Sequence, residues 1–272
     1  MVIKDLLSSE QLSNIDFKVI KEILMVLNKW SANDFSINNT IENKKLDLFF
    51  EYINQFKQGI PLEYITKKKY FYESEFYVDD RVLIPRVETE MLVEEALNFT
   101  KSGNLVIDVC CGSGCIGLSL KKKFRNIELW LSDISSSALE VAKYNSEILN
   151  IEANLINSDF LDFIFELQLT PDIILMNPPY IKKGDVNVAH SVSKFEPHLA
   201  LFAVNDGLYF YQKLFDLLDN LYKINKNLII ISEFGFQQKN GIEKLFKHKV
   251  VKYKIDFKKD YFNNWRYFVI SK

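Results

Sequence analysis

Two short segments of this chain hold residues whose types and order could do chemistry. The first is Asn177-Pro178-Pro179-Tyr180, which ends the apolar run DIILMN. An amide or aromatic amine nitrogen is a poor nucleophile because its lone pair is delocalised. Two acceptors gripping its two N–H bonds favour a pyramidal nitrogen and return density to that lone pair. The Asn177 side-chain oxygen and the Pro178 carbonyl form such a pair. Proline lacks an N–H and fixes φ, so Pro178 and Pro179 stiffen the loop and leave its carbonyls for a ligand. The Tyr180 ring can lie against a flat amide or base. Catalytic roles are therefore assigned to Asn177, Pro178 and Tyr180, and substrate contacts to Asn177, Pro178, Pro179 and Tyr180. A plain Pro-Pro turn after a buried strand would explain the prolines alone.

The second segment is Asp108-Val109-Cys110-Cys111-Gly112-Ser113-Gly114, between an apolar run and a helical stretch. Gly112 and Gly114 let the backbone turn sharply and approach a ligand. Asp133 ends the next apolar run, a position that suits a carboxylate accepting hydrogen bonds from two ribose hydroxyls. Two ligands compete. A dinucleotide site prefers G-x-G-x-x-G with a pyrophosphate at the helix N-terminus. Asp108 at the mouth of the loop would repel a pyrophosphate but attract the amino group of a methionine moiety. A structural glycine turn accounts for the glycines but not for the two acids. If the electrophile is a sulfonium methyl, no base or metal is needed to start the reaction. Holding nitrogen, carbon and sulfur in line would supply the catalysis, with electrostatics that strengthen as the nitrogen gains charge.

Both segments need a scaffold. Beyond Leu105 the runs LVIDV, IELWLSD, ANLIN, DIILMN, NLIIISEF, KVVKYKIDF and WRYFVIS alternate with helical stretches, among them 135–150 and 206–223. Strands alternating with helices predict an α/β fold with a parallel, doubly wound sheet. No helix separates the last two runs, so the sheet is predicted to end in an antiparallel hairpin. Residues 1–60 read as helical. Phe17, Ile20, Ile23, Leu24 and Leu27 repeat at helical spacing behind an N-cap at Asp16. A polar loop runs from Ser31 to Asn43, and Leu46, Phe49, Phe50, Ile53 and Phe56 form a second stripe, stopped by Gly59 and Pro61. From Tyr64 to Val82 aromatic and polar residues alternate, which predicts a two-stranded hairpin or arm.

The bulk numbers exclude several classes. At 272 residues, 48% hydrophobic and 14% aromatic, the chain can bury a sizeable core without staples. Its 34 Lys and Arg nearly balance 36 Asp and Glu, for a net charge of -2. Proteins that hold nucleic acid through phosphates usually carry a basic balance, so no direct nucleic-acid partner is expected. Cys110, Cys111 and Cys115 crowd into one loop, too close for a disulfide framework, and His190, His198 and His248 are dispersed, so no metal is expected. No apolar run approaches the roughly 18 to 20 residues of a membrane span, and the amino terminus lacks the apolar stretch of a secretion signal. A cytoplasmic monomer with no membrane partner is the expectation.

With these residues in view, the chain resembles the release factor glutamine methyltransferases (the HemK/PrmC type). The resemblance covers most of the chain, in the family's order: GIPLEYI (59–65), FYVDDRVLIPRVETEMLVEEAL (76–97), DVCCGSGCIGLSL (108–120), NPPYI (177–181), FEPHLAL (195–201), NDGL (205–208) and EFGFQQ (233–238). It implies a class I methyltransferase domain at 86–272, Rossmann-like, with a seven-stranded, mostly parallel sheet. Before it would come a helical substrate-recognition domain at 1–60 and a β-hairpin connector at 61–85. It implies S-adenosyl-L-methionine as methyl donor. The acceptor it implies is the side-chain amide nitrogen, N5, of the glutamine in the Gly-Gly-Gln motif of class I peptide chain release factors.

Residue by residue, Cys110, Cys111, Gly112, Ser113 and Gly114 match the family's cofactor loop, with Asp108 before it. Asp133 matches the ribose-binding acid, and Asp159 and Phe160 the positions beside the adenine. Asn177 matches the asparagine that touches cofactor and substrate, within the glutamine-binding motif 177–180. Arg86, Glu88, Thr89 and Glu90 are candidates to line the methionine end, or else form a structural ion-pair network. The sequence departs from the pattern at Cys110, where glycine is usual, at Cys111, usually a small polar residue, at Val87, usually proline, and at Lys67, usually glycine. A side chain at 110 must fit a backbone that normally carries none, so cofactor affinity is where a difference is expected.

Three rivals remain. A ribosomal-protein glutamine methyltransferase shares NPPY and the hairpin, but typically has a different segment after IPR, and the ETE here favours the release-factor branch. A DNA or RNA adenine-N6 methyltransferase would use the same motif on a flipped-out base. Only about ninety residues follow NPPY, however, which the rest of the sheet consumes, and the near-neutral charge points the same way. A binding module that kept the fold without the chemistry is the third; intact Asp108, Asp133 and Asn177 count against it.

Overall fold

A computed structural model describes all residues, Met1–Lys272, which fall into two compact units, Met1–Lys67 and Lys68–Lys272. The first unit holds α1 (Ile3–Leu7), α2 (Phe17–Asn28), α3 (Asn43–Lys57) and α4 (Leu62–Thr66). Asp16 caps α2 as its sequence position suggests, accepting the Lys18 N–H at 2.8 Å. Ile20, Ile23 and Leu24 of α2 meet Phe49 and Ile53 of α3, with Ile3, Leu6, Leu12 and Ile41 completing this small core. Phe17, counted in the predicted stripe, stays 45% exposed at the first helical position.

The second unit opens with a hairpin, β1 (Lys69–Phe71) and β2 (Ser74–Phe76), turned by Tyr72 and Glu73 at φ 41° and 61°. It is shorter than the alternating pattern predicted. Residues 64–66 belong to α4, where Tyr64 and Ile65 are buried, because alternation over a few residues does not separate one helical turn from a strand.

The chain continues through α5 (Glu90–Phe99), β3 (Leu105–Val109), α6 (Cys115–Lys123), β4 (Glu128–Asp133), α7 (Ser136–Ile148) and β5 (Asn154–Asn157). It then forms α8 (Asp162–Glu166), β6 (Ile173–Met176), β7 (Ile181–Lys182), α9 (His190–Phe195), α10 (His198–Leu201) and β8 (Phe202–Ala203). The last elements are α11 (Tyr209–Ile224), β9 (Ile229–Glu233), α12 (Lys239–Phe246), β10 (Lys254–Lys259) and β11 (Trp265–Ser271).

Seven strands form one sheet in the order β10-β11-β9-β6-β3-β4-β5. From β9 to β5 all neighbours run parallel, while β11 lies antiparallel to both β9 and β10. This is the α/β class expected, down to the terminal antiparallel hairpin. Alternate residues of each inner strand face opposite layers. Val106, Leu129, Leu175 and Ile231 meet Leu92, Ala96 and Leu118 on one side, while Ile107, Ile174 and Ile230 meet Phe163, Leu214 and Leu218 on the other. Each such side chain contributes roughly 1.5–3 kcal/mol by leaving water. The chain winds outward from β3 through β4 to β5, then returns to lay β6 on the other side of β3. That reversal opens a crevice at the carboxyl ends of the strands.

Helix α6 approaches the sheet closely at Gly117, where an added Cβ would lie 2.8 Å from Leu131 Cδ2 and 3.1 Å from Asp108 Cβ. Gly117→Ala is expected to lower stability by about 1 kcal/mol net. Overpacking costs roughly 1–3 kcal/mol and the better helix propensity of alanine returns about 1. A urea midpoint at or above wild type would show slack between α6 and the sheet.

Candidate functional site

The carboxyl ends of β3, β4, β5 and β6 surround an open cavity whose space, counted out into the solvent at its mouth, is about 1050 Å³. Cys110 to Ser113 line it from the loop after β3, Ser132 to Ser135 from the end of β4, Ser158 to Phe160 after β5, and Asn177 and Pro179 after β6. Arg81, Val82, Leu83, Pro85, Arg86 and Thr89 close it from the segment before α5.

The loop turns through left-handed backbone at Cys110 (φ 57°), Gly112 (φ 53°) and Gly114 (φ 76°). Cys110 therefore sits in a conformation that costs a residue with a Cβ roughly 1–2 kcal/mol. The loop reading that stopped at Gly114 overlooked Gly117. Residues 112–117 complete a G-x-G-x-x-G run, whose third glycine serves helix–strand packing. Glycine spacing alone therefore does not exclude a dinucleotide.

The two acids, Asp108 and Asp133, are placed differently from one another. Asp133 borders the cavity. Its Oδ2 accepts the Gly112 N–H and its Oδ1 the Ser135 N–H, each at 2.9 Å. Burial pushes its pKa up while the Ser135 and Gly112 amides pull it back; each oxygen retains a lone pair for a ligand hydroxyl. Asp108, expected at the mouth of the loop, instead lies fully buried outside the cavity lining. Its Oδ2 accepts the Gly117 N–H at 2.9 Å and its Oδ1 has no partner. Burial raises its pKa to about 7, against the pull of the Gly117 amide and with the Asp133 charge adding to the rise. Gly114 is likewise outside the lining.

Asp159 and Phe160 both line the cavity. Asp159 pairs with Lys213 at 3.2 Å, and the Phe160 ring lies 5.5 Å from that of Phe210. The segment Arg86 to Glu90 divides. Arg86 forms an ion pair with the buried Glu196, which also accepts the Ile84 N–H at 3.1 Å. Glu90 accepts the Tyr72 N–H of the hairpin at 2.9 Å. Of the four candidates there, only Arg86 and Thr89 border the cavity. The thiols of Cys110, Cys111 and Cys115 are all free, and burial pushes each upward in pKa. No set of three or more His, Cys, Asp or Glu side chains is arranged to hold a metal ion, and no helix is long and apolar enough to cross a membrane.

Asn177 borders a second, smaller cavity as well, of about 390 Å³, together with Leu83, Arg86, Pro178, Tyr180, Ile181, Val192, Ala200, Leu201 and Glu233. The motif 177–180 is thus shared out: Asn177 and Pro179 face the larger space, and Asn177, Pro178 and Tyr180 the smaller. The Tyr180 hydroxyl donates to Glu233 Oε1 at 3.0 Å, and burial raises its pKa so that it remains a donor. Asn177 Nδ2 donates to Thr89 Oγ1 at 3.4 Å, and the Thr89 hydroxyl donates to Glu233 Oε2 at 2.6 Å. The Tyr180 carbonyl accepts from Gln238 Nε2 at 2.8 Å. Gly207, at φ 82°, runs so close beneath that carbonyl that a Cβ there would come within 2.0 Å of it.

Glu233, Glu196, Gln238 and Gly207 were not singled out from the sequence. The available signal for Glu233 was its position, an acid closing an apolar run just as Asp133 does; the other three gave none outside the quoted segments.

Comparison with known proteins places the chain among methyltransferases. The model of the Methyltransferase small domain matches residues 87–196. The chain is 37% identical over 258 residues to the release factor glutamine methyltransferase of Mycoplasma mycoides subsp. mycoides SC, covering 94% of this chain and 91% of that one. It is 35% identical over 262 residues to the release factor glutamine methyltransferase of Lactococcus lactis subsp. lactis, covering 96% and 95%. Among solved structures, the hMettl16 catalytic domain in complex with a 3'UTR hairpin aligns with a TM-score of 0.55 at 15% identity, over 95% of this chain and 93% of that one. That last likeness is one of fold.

The raised pKa of Asp108 has a stability consequence. Its folded value of about 7 lies above the ordinary 3.8, so folding takes up a proton between these pH values and stability falls as pH rises through that window. The loss amounts to at most about 4 kcal/mol above pH 7. Asp108→Asn, which keeps an acceptor for Gly117, is expected to out-melt wild type at pH 8 by more than at pH 5. An equal margin at both pH values would show that Asp108 is ionised throughout.

Proposed function

The chain belongs to the release factor glutamine methyltransferase family, and from that premise we propose the reaction and the residues that carry it. The protein transfers the methyl group of S-adenosyl-L-methionine to the side-chain amide nitrogen of the glutamine in the Gly-Gly-Gln motif of a class I peptide chain release factor. The observation that carries this reading is the position of Asn177, which borders a large cavity on one side and a small one on the other.

The larger cavity suits a nucleoside joined to an amino acid. Asp133 offers its carboxylate to the ribose hydroxyls, and Phe160 and Phe210 offer rings to the base. The backbone of Cys110 to Ser113 lines this cavity where the loop turns through left-handed φ at Cys110 and Gly112, and would run along the donor. Asp108 acts from beneath, through the Gly117 amide that it holds. When bound, the donor supplies a methyl group on positively charged sulfur, which needs no further activation.

The smaller cavity suits an amide side chain. Asn177 Oδ1 and the Pro178 carbonyl accept the two N–H bonds of the acceptor nitrogen, and Tyr180, Leu83, Ile181 and Leu201 line the space around it. As the nitrogen–carbon bond forms, the carbon–sulfur bond breaks to leave a neutral thioether, and the methylated amide then gives up one N–H proton to solvent. The attacking nitrogen gains positive charge, so both hydrogen bonds strengthen between ground state and transition state. That differential is what accelerates the chemical step. The hydroxyl of Tyr180, tied to Glu233, keeps its ring as a fixed wall rather than a mobile one.

The test uses labelled S-adenosyl-L-methionine with a class I release factor and with the same factor carrying alanine in place of the acceptor glutamine. Label is expected on the first and not on the second; label on neither removes the assignment. Asn177→Ala is expected to cut turnover by on the order of 100-fold, far more than it weakens cofactor binding. Equal turnover would strip Asn177 of its role. Asp133→Ala is expected to weaken cofactor binding by about 1.5 to 3 kcal/mol in calorimetry, and an unchanged affinity would mean that the carboxylate does not touch the ligand.

A further inference from the structure

We propose that Thr89 and Glu233 are positioning residues that fix which end of the Asn177 amide faces the smaller cavity, and thereby make the site select an amide nitrogen over a carboxylate. This rests on the reading that Asn177 Oδ1 accepts a hydrogen bond from the methyl-accepting nitrogen.

The two ends of an asparagine amide are nearly the same size and opposite in function. The oxygen accepts, and the NH₂ group only donates. Turned the wrong way, Asn177 would oppose its own N–H bonds to those of the substrate. Neither size nor packing chooses between the two orientations, so a hydrogen-bond partner must.

That partner is Thr89. A hydroxyl has one proton to give, and the proton of Thr89 is committed. Its Oγ1 donates to Glu233 Oε2 at 2.6 Å; burial pushes the Glu233 carboxyl up in pKa, while the Thr89 hydroxyl, the Arg266 charge and the Tyr180 hydroxyl pull it back toward the acceptor form. Thr89 is 2% and Glu233 1% exposed, so water offers no alternative partner. With its proton spent, Thr89 turns only lone pairs toward Asn177, 3.4 Å away. The NH₂ end must then point at Thr89 and the oxygen into the cavity.

Glu233 is held for this task. Tyr180 donates to its other oxygen at 3.0 Å, and its main-chain carbonyl accepts from Tyr211 and Ser232. A buried carboxylate is costly to desolvate, and a neutral pair of side chains would fill the space with less penalty. A neutral partner would not, however, dictate the direction of the Thr89 proton. The chain of direction thus runs from Glu233 at the end of β9, through Thr89 before α5, to Asn177 at the end of β6. A glutamate in place of the substrate glutamine would meet acceptors at both Asn177 Oδ1 and the Pro178 carbonyl.

The experiment compares the full-length wild type, Thr89→Val and Thr89→Ser. It measures kcat on a release factor, cofactor affinity by calorimetry, and inhibition by a release factor carrying glutamate in place of the acceptor glutamine. Thr89→Val is expected to lose about tenfold in kcat, more than it changes cofactor affinity, Thr89→Ser to stay within about threefold of wild type, and the glutamate factor to inhibit Thr89→Val at least about threefold more tightly, because the amide is then free to turn. A merely structural role would not move that inhibitor preference. If Thr89→Val does not bind cofactor, the smaller Thr89→Ala makes the same comparison. Unchanged kcat, or equal inhibition of variant and wild type, overturns the proposal. If Asn177→Ala still loses turnover in that case, the underlying reading stands; if Asn177→Ala keeps it, the reading itself falls.

Discussion

The Gly117 N–H donates to Asp108 Oδ2 at 2.9 Å, tying the first turn of α6 to the end of β3. The close approach is eased because Gly117 has no side chain to press on Leu131 and the Asp108 Cβ. With both ends of the intervening loop fixed, residues 110–114 have little length in which to reverse direction, and they do so through left-handed backbone at three positions. The same tight path presents the Gly112 N–H to Asp133 Oδ2 at the neighbouring strand end. The shape of the large cavity follows from that one contact: shift α6 outward and both the loop and the acid beside it lose their anchors.

A common device recurs around the site. Asp133 and Glu233 close strands of the sheet, Asp108 lies one residue before the end of β3, and Glu196 sits buried against the segment before α5. Carboxylates at such depth are destabilising unless matched by donors; the donors found here are main-chain amides, hydroxyls and one arginine, and Asp108 Oδ1 is left without one. They come from distant parts of the chain: Glu196 binds Ile84 and Arg86 across more than a hundred residues, and Glu233 binds Thr89 across 144. Each acid therefore joins two segments and leaves the reacting region with little freedom to rearrange.

What the sequence disclosed, and what it withheld, divides along the same line. The seven strands were legible because inner strands of a parallel sheet are covered on both faces and must be nearly continuous in apolar residues, as in LVIDV and DIILMN. Asp16 was legible because a cap acts within two residues of itself. The candidate residues 110–113, 133, 159, 160 and 177 gather about one cavity because all follow strand ends, and strand ends are readable. Asp108 was misjudged, since a residue's place beside or beneath a loop depends on how the next helix docks. The two-residue strands β7 and β8 and the short α9 and α10 carry no periodicity long enough to detect, and exist through contacts made elsewhere. Glu233 lay in plain sight, but its meaning depends on a threonine far away in sequence.

The close passage of Gly207 beneath the Tyr180 carbonyl, with Gln238 donating to that same oxygen, bears on any attempt to move this chemistry to another scaffold. The four residues of the motif are a portable string only on paper. Their last carbonyl is held by two segments that arrive later in the chain, one bringing an amide and the other the absence of a side chain. A graft of the tetrapeptide without those companions would carry the letters and leave behind the geometry that gives them a function.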